Sequence, residues 1–464
     1  MTFLKSTAYV LAANFLVLAL GFFLRPVTAR FLGPSEYGLF ALVLSTATVI
    51  PALTLFSLNS GVLYFTAKKP QRVKQLVSTS LAFTIAAAAI LYLPLQFVVL
   101  SAAPALGPAG YAASFFLSIA LCFFLILQAA QQGLEKFGVF SKYAVASAFF
   151  SGILSLALAY ATADGVLSAW GRALAIVAVS AAGLFSLKAL GRPSMAELKK
   201  ILAYAAPLGL VGFVGAFIVV VDRYLIAAFR GVSEVGYYDI SYSLVAAVLP
   251  FSTSLFTTMM PRVIRQESKL KFYYEKISQA NTMLLATAGI VFFYYSDIIV
   301  SLLLGQNFAG AVTPLKILSL TLPLMAIHGL NFSSTSSVGR TKIAGLLISL
   351  LTVFSLVFNV ILVPLYGAVG ASWANVLTYI FTSSIGFYYL KTRYGVEIRQ
   401  VLPQYFIFIL FIALYVFFFE GGGFVGKTLA LAVYALLTYL ANKQLVHETV
   451  SRIPLGRLKI GRSK

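Results

Sequence analysis

The chain has 464 residues, of which 60% are hydrophobic and 10% charged, with a mean hydropathy of +0.94. A soluble domain carries about 25% charged residues, so these residues cannot cover a water-facing surface, and the length describes one polytopic membrane protein. The lone Cys122 excludes an intramolecular disulfide, and two distant histidines, His328 and His447, make no zinc cluster. The net charge of +21 is spread between apolar runs without a nucleic-acid-binding motif. No nucleic-acid partner is therefore expected, and the basic excess reads as the mark of cytoplasmic loops.

A helix crosses the hydrocarbon layer in about 20 apolar residues. In chain order such runs predict spans at 8–31, 38–65, 76–100, 111–132, 141–161, 166–187, 203–228, 237–260, 279–304, 311–333, 343–363, 368–390, 402–419 and 424–442, fourteen in all. The first runs on into Arg25-Pro26 without a small-residue cleavage site, so it reads as a retained span and not a removed leader. Pro26, Pro207, Pro250 and Pro323 fall inside spans, where they kink a helix without ending it.

Loop charge tests this count. With the N-terminus inside, Lys5, the even-numbered connections and the C-terminal tail carry 27 of the 34 Lys and Arg. The outer connections carry three, Arg30, Arg230 and Lys427. That asymmetry predicts a multi-pass protein of the cytoplasmic membrane with both termini in the cytoplasm. No connection is long enough to hold an extramembrane catalytic domain, so no enzyme is expected.

The chain also repeats itself. Arg25, followed by Phe31-Leu32-Gly33-Pro34-Ser35-Glu36-Tyr37-Gly38, matches Arg223, followed by Phe229-Arg230-Gly231-Val232-Ser233-Glu234-Val235-Gly236, at an offset of 198 residues. Gly165-Val166-Leu167-Ser168-Ala169 matches Gly367-Ala368-Val369-Gly370-Ala371 at an offset of 202. The expected fold is an all-α membrane protein with two six-helix lobes, residues 1–195 and 196–395, in parallel pseudo-twofold repeat. Two additional helices at 396–443 and a basic cytoplasmic tail at 444–464 follow. Parallel repeats of this kind occur in transporters that rock two lobes about a site near the midplane.

Four stretches carry a family resemblance: Arg25 to Gly38; Tyr204-Ala205-Ala206-Pro207-Leu208-Gly209 with Val221-Asp222-Arg223-Tyr224-Leu225; Glu234 to Tyr242; and the region from Phe308 to Ala371. In these the chain resembles the polysaccharide transporter, or O-antigen flippase, family of the multidrug/oligosaccharidyl-lipid/polysaccharide superfamily. The resemblance implies transfer of an oligosaccharide linked to a polyprenyl (pyro)phosphate between leaflets by alternating access. It further implies membrane lipids as surroundings and polysaccharide-assembly proteins as partners. No resident cofactor is implied; coupling to Na⁺ or H⁺ is the ion requirement to consider.

An ionisable residue inside a span is a functional candidate because lipid makes it costly. Arg25 lies about seven residues, or roughly 10 Å, below the outer end of its span, and Arg223 holds the equivalent place. With Arg172, they are the candidate phosphate clamp, since a guanidinium fork matches phosphate oxygens. Asp222, Asn359 and Asn375 are the candidates for ion coupling, as oxygen ligands suit a hard cation. Asp222 is not expected to neutralise Arg223, because adjacent helical residues point about 100° apart. Asp239, close to an outer loop, is expected at the interface, and Arg30 and Arg230 as interfacial anchors. His328 is expected to hydrogen-bond between helices. The rival reading is a cation-coupled drug exporter of the same architecture, which would need more acid in the cleft.

Overall fold

The computed structural model describes residues 3–188, 191–218, 220–419, 423–443 and 445. The tail expected at 444–464 lies outside them apart from Leu445. In chain order the helices are α1 (Phe3–Thr54), α2 (Leu58–Lys68), α3 (Val73–Ala102), α4 (Gly107–Gly133), α5 (Phe137–Thr162), α6 (Gly165–Ser186), α7 (Met195–Ile218), α8 (Val221–Arg230), α9 (Val232–Ala246), α10 (Leu249–Arg265), α11 (Leu270–Leu303), α12 (Val312–Ser319), α13 (Thr321–Ser337), α14 (Thr341–Tyr394), α15 (Leu402–Leu414) and α16 (Phe424–Ala441). No strand occurs among the described residues.

Ten of these helical runs are long and apolar enough to cross a membrane, or eleven when the α12–α13 pair, bent by 46°, counts as one. The expected number was fourteen, and backbone geometry explains the difference. The runs Ala12–Thr54 and Thr341–Tyr394 hold 43 and 54 residues, about twice what a bilayer needs. Each turns at a residue with non-helical angles, Gly33 (φ 72°, ψ 171°) and Gly367 (φ 58°, ψ −130°). Thr341–Tyr394 therefore contains two of the expected spans, and Ala12–Thr54 contains the first with the start of the second, which continues into α2. The expected span 203–228 is instead divided between α7 and α8.

Many large apolar side chains stand exposed, among them Phe97 (77%), Phe417 (79%) and Ile90 (73%). An apolar exterior of this extent suits hydrocarbon and not water.

The helices form two compact units. One holds the described residues up to Ala247 with Asp297–Leu315 and Ile348–Thr378; the other holds Val248–Ser296, Lys316–Leu347 and the described residues from Tyr379 onward. In the first unit, Leu58 and Val62 of α2, Leu76 of α3 and Ile126 of α4 pack with Ile201 and Ala205 of α7. In the second, Tyr294 of α11 buries its ring with Phe411, Tyr415 and Tyr434, and its hydroxyl donates to the Phe411 carbonyl at 2.7 Å.

The repeat is visible in the backbone of the first unit. Gly231 (φ 90°, ψ 172°) repeats the conformation of Gly33, one that L side chains adopt at a cost. Five residues later in each copy stand Gly38 and Gly236, and these two meet. A Cβ on Gly38 would run into the carbonyl of Val232, and one on Gly236 into the carbonyl of Pro34. The contact is reciprocal, as a twofold requires. The paired acids have matching tasks. Glu36 Oε2 accepts the amide of Gly165 at 2.9 Å, and Glu234 Oε2 accepts the amide of Ala368 at 2.7 Å. Each puts a carboxylate on free N–H groups where a helix begins or resumes.

Before the apolar part of α7, Glu197 accepts from Arg72 at 2.5 Å and from Lys200 at 3.1 Å. Burial pushes the Glu197 carboxyl up, but Lys200 and Arg72 outweigh it and hold it below its ordinary value of 4.5. A lowered folded-state pKa gives stability that is complete above the ordinary value and lost as pH falls through the lowered one. Acidification below about pH 4.5 should thus lower the melting temperature of wild type more than that of Glu197→Gln; parallel curves would remove the effect. Gly236→Val should cost stability of about 1–3 kcal/mol by overpacking the twofold contact, read as a lower melting temperature in detergent. An unchanged melt would show that the backbones can separate freely there.

Candidate functional site

The glycine contact holds α1 against α9, and one turn away four charges gather. Asp239 lies on α9, buried at 1% exposure. Its Oδ2 accepts from Arg25 Nη2 at 2.6 Å and from the Tyr37 hydroxyl at 3.1 Å. Its Oδ1 accepts from Arg223 Nε and Nη2, both at 2.8 Å. Arg25 Nε also donates to the Tyr37 oxygen at 2.9 Å. Arg223 turns Nη1 to Asp222 Oδ1 at 3.0 Å, and its own amide donates to the same oxygen at 2.8 Å. Asp222 Oδ2 receives the Tyr238 hydroxyl at 2.5 Å, and the Tyr238 oxygen accepts from Asn375 Nδ2 at 2.7 Å. The Arg223 guanidinium carbon lies 5.6 Å and 5.3 Å from the ring centroids of Tyr238 and Tyr242.

Two expectations fall here. Asp239 is not interfacial but the centre of the network. It stands seven residues into α9, counted from Val232, which is the same depth of roughly 10 Å that separates Arg25 from its span's end. Applied to Asp239, that count finds it. Asp222 does contact Arg223: both lie in the first turn of α8, and Asp222 Oδ1 accepts from the backbone amide and from Nη1 of its neighbour. Adjacent helical side chains do leave about 100° apart, but the arginine is long enough to turn its Nη1 back to the carboxylate.

The expected clamp residues differ in what they have left to give. All three nitrogens of the Arg223 side chain are committed to Asp222 and Asp239, and the residue is 6% exposed. Arg25 has a third of its side chain exposed (35%) and spends Nε and Nη2 on Tyr37 and Asp239. Arg172, on α6, makes no hydrogen bond or ion pair among the described residues, and it feels the opposing charge of Arg25 and the favourable influence of Tyr37. Arg172 and Arg25 both line two cavities of about 280 and 380 Å³ in the first unit, and Leu44 and Ser243 are also common to both. The first cavity is walled by apolar residues of α1, α5 and α9, including Leu20, Phe22 and Leu244. The second reaches Arg223, Tyr242 and Ser45.

The ion-coupling candidates are only partly united. Asn375 joins Asp222 through Tyr238, whereas Asn359 donates to the Ser355 carbonyl at 2.8 Å in its own helix. Its Oδ1 is buried without a partner. A Na⁺ at Asp222 would have to displace the donors of Arg223 and Tyr238, so this ligand set does not fit one. No cluster of three metal-ligating His, Cys, Asp or Glu side chains occurs among the described residues. Arg230 departs from the simple anchor: its Nη2 donates to the carbonyls of Pro364 and Leu365 just before the Gly367 turn. His328 packs edge-on against Tyr379 with ring centroids 5.4 Å apart, and its buried Nδ1 has no hydrogen-bond partner. The expected interhelical bond at that nitrogen is not formed.

Arginine-lined cavities thus lie within an apolar, membrane-type helical unit, and its fold has solved likenesses. The chain superposes on the lipid II flippase MurJ in its inward closed conformation with a TM-score of 0.78, at 14% identity, covering 94% of this chain and 99% of that one. It superposes on an inward-facing MATE multidrug transporter with a TM-score of 0.64, again at 14% identity, covering 82% and 94%. Both likenesses concern the fold, that of the multidrug/oligosaccharidyl-lipid/polysaccharide transporters. Residues 27–313 match the family model described as polysaccharide biosynthesis protein, and the chain belongs to that family. Among curated relatives, the probable low-salt glycan biosynthesis flippase Agl15 of Haloferax volcanii is 24% identical over 54% of this chain and 52% of its own. An uncharacterized membrane protein of Methanocaldococcus jannaschii is 22% identical over 37% of this chain and 35% of its own. The chain thus spans about half or less of the curated relatives it matches.

Asp239 carries the network, so its removal should be severe. Asp239→Ala leaves two guanidinium groups without their shared carboxylate, and breaking a buried pair from one side costs about 3–5 kcal/mol. The melting temperature should drop sharply, and by less in Asp239→Asn. Equal melts for wild type and Asp239→Ala would show that the arginines find other acceptors.

Proposed function

We propose that the protein is a flippase that carries a polyprenyl-(pyro)phosphate-linked oligosaccharide from the inner to the outer leaflet of the cytoplasmic membrane. It acts by alternating access between two six-helix lobes, with both termini in the cytoplasm, in the synthesis of a surface polysaccharide or glycan. The observation that carries this reading is Arg172, a guanidinium without a counter-ion among the described residues, which faces two cavities together with Arg25. An unpaired cation inside a membrane protein is costly, and a guest that brings the missing negative charge repays that cost. The phosphate of a lipid-linked sugar is such a guest, and a bidentate guanidinium suits its geometry. Its lipid tail stays in the bilayer while the sugar head crosses between the lobes. The family and the glycan flippase among its relatives support the same substrate class.

A drug exporter shares the fold but would have to pass an organic cation beside an unpaired arginine, which like charge opposes.

The test is flipping of a fluorescent polyprenyl-pyrophosphate- or polyprenyl-phosphate-linked sugar in proteoliposomes. Arg172→Ala is the clean variant, since it breaks no ion pair, and it should slow flipping about tenfold or more, the scale of one lost charge-assisted contact. Flipping by Arg172→Ala at the wild-type rate would sink the role given to this residue. Wild-type uptake of an organic cation, with no lipid flipping, would make the protein an exporter.

A further inference from the structure

The two cavities hold a definite charge. Their charged lining residues are Arg25, Arg172 and Arg223. The acids bonded to these arginines are Asp222 and Asp239 and, among the described residues, no others. Glu36 and Glu234, the acids of the repeat, are bound to the amides of Gly165 and Ala368. Three guanidinium groups against two carboxylates leave one positive charge. The donors divide in the same way. Arg223 has every side-chain nitrogen engaged, Arg25 keeps Nη1, and Arg172 keeps its whole fork.

We infer that this site is charge-matched to a carrier with a single phosphate, a polyprenyl phosphodiester, and selects it over the pyrophosphate-linked carrier of the same sugar. The inference rests on the flippase reading above and deepens it. A phosphodiester carries one negative charge on two free oxygens, which one guanidinium fork satisfies bidentately. A pyrophosphate diester carries two charges on four free oxygens. Its second phosphate would find the remaining edge of Arg25 and neutral hydroxyls such as those of Ser45, Thr48 and Ser243, but no second cation to spare. A charge left without a partner there is penalised by desolvation, which the low dielectric does not return. Selection is therefore set by the balance of Arg against Asp, and not by Arg alone. Asp222 and Asp239 are specificity-determining residues that never touch the substrate.

The experiment compares two probes, the same fluorescent disaccharide on the same polyprenyl chain through one phosphate or two, in proteoliposomes of neutral phospholipid. Wild type should flip the monophosphate probe about tenfold faster, the ratio that a difference of 1.4 kcal/mol gives. Asp239→Asn and Asp222→Asn each add one positive charge and should each move the ratio toward the pyrophosphate probe. The two act at different places in the network, so either can carry the test if the other does not fold. Rescue of the pyrophosphate probe by an aspartate variant is an outcome that a merely structural role of these acids does not give. Equal or faster flipping of the pyrophosphate probe by wild type overturns the inference and leaves the flippase reading intact. So does an unchanged ratio in folded aspartate variants. Transport of neither probe by wild type overturns both.

Discussion

Two arginines from opposite halves of the chain and a single carboxylate between them set the conditions under which this membrane protein can keep its charges. Arg25 and Arg223 both bond to Asp239, and Asp222 takes the rest of Arg223. Neither arginine could be held in the apolar interior without an acid. One acid serves two because the reciprocal contact of Gly38 and Gly236 brings α1 and α9 close enough for a short side chain to reach both. Backbone proximity thus comes first and the ionic network follows from it. Arg172, left outside the network, becomes the one guanidinium of the three with nothing bound to it among the described residues.

The repeat is symmetric in its frame and asymmetric in its chemistry. At the offset of 198, the arginines, the turn glycines, the acids on the helix starts and the contact glycines all coincide. Where the second copy has Asp222, Tyr238 and Asp239, the first has Leu24, Phe40 and Ala41. The polar half of the network was placed in one copy only, and Arg25 borrows its carboxylate from across the pseudo-axis. This asymmetry also gives the cavities an uneven wall, apolar beside α1 and α5 and polar beside Arg223 and Tyr242.

Much of this could be read in the sequence. Hydropathy located the helices, since a bilayer imposes a length on every span, and the repeat located Arg25 and Arg223, since equal positions in two copies are hard to explain by packing alone. The span count differs from the number of helical runs because Gly33 and Gly367 turn the chain with non-helical angles inside a run, with no loop between the two parts. Asp239 was misplaced because nearness to a loop in sequence was taken for nearness to water, although two helical turns separate them. The relation of Asp222 to Arg223 was hidden because the angle between adjacent Cβ directions does not limit where a side chain as long as arginine can end. Which of the three arginines lacks a counter-ion is a property of tertiary contacts, and no spacing in the chain encodes it.

The meeting of Gly38 and Gly236 has a consequence for how such a chain can change over generations. The joint is made from main-chain atoms, so it asks for the absence of side chains and is indifferent to the identity of those around it. A substitution in one copy needs no matching substitution in the other, and the two copies are free to drift apart in lining, charge and substrate while the joint between them stays the same. Two glycines and the two acids that seat the neighbouring helices are enough to preserve a duplicated architecture after most of the duplicated sequence has gone.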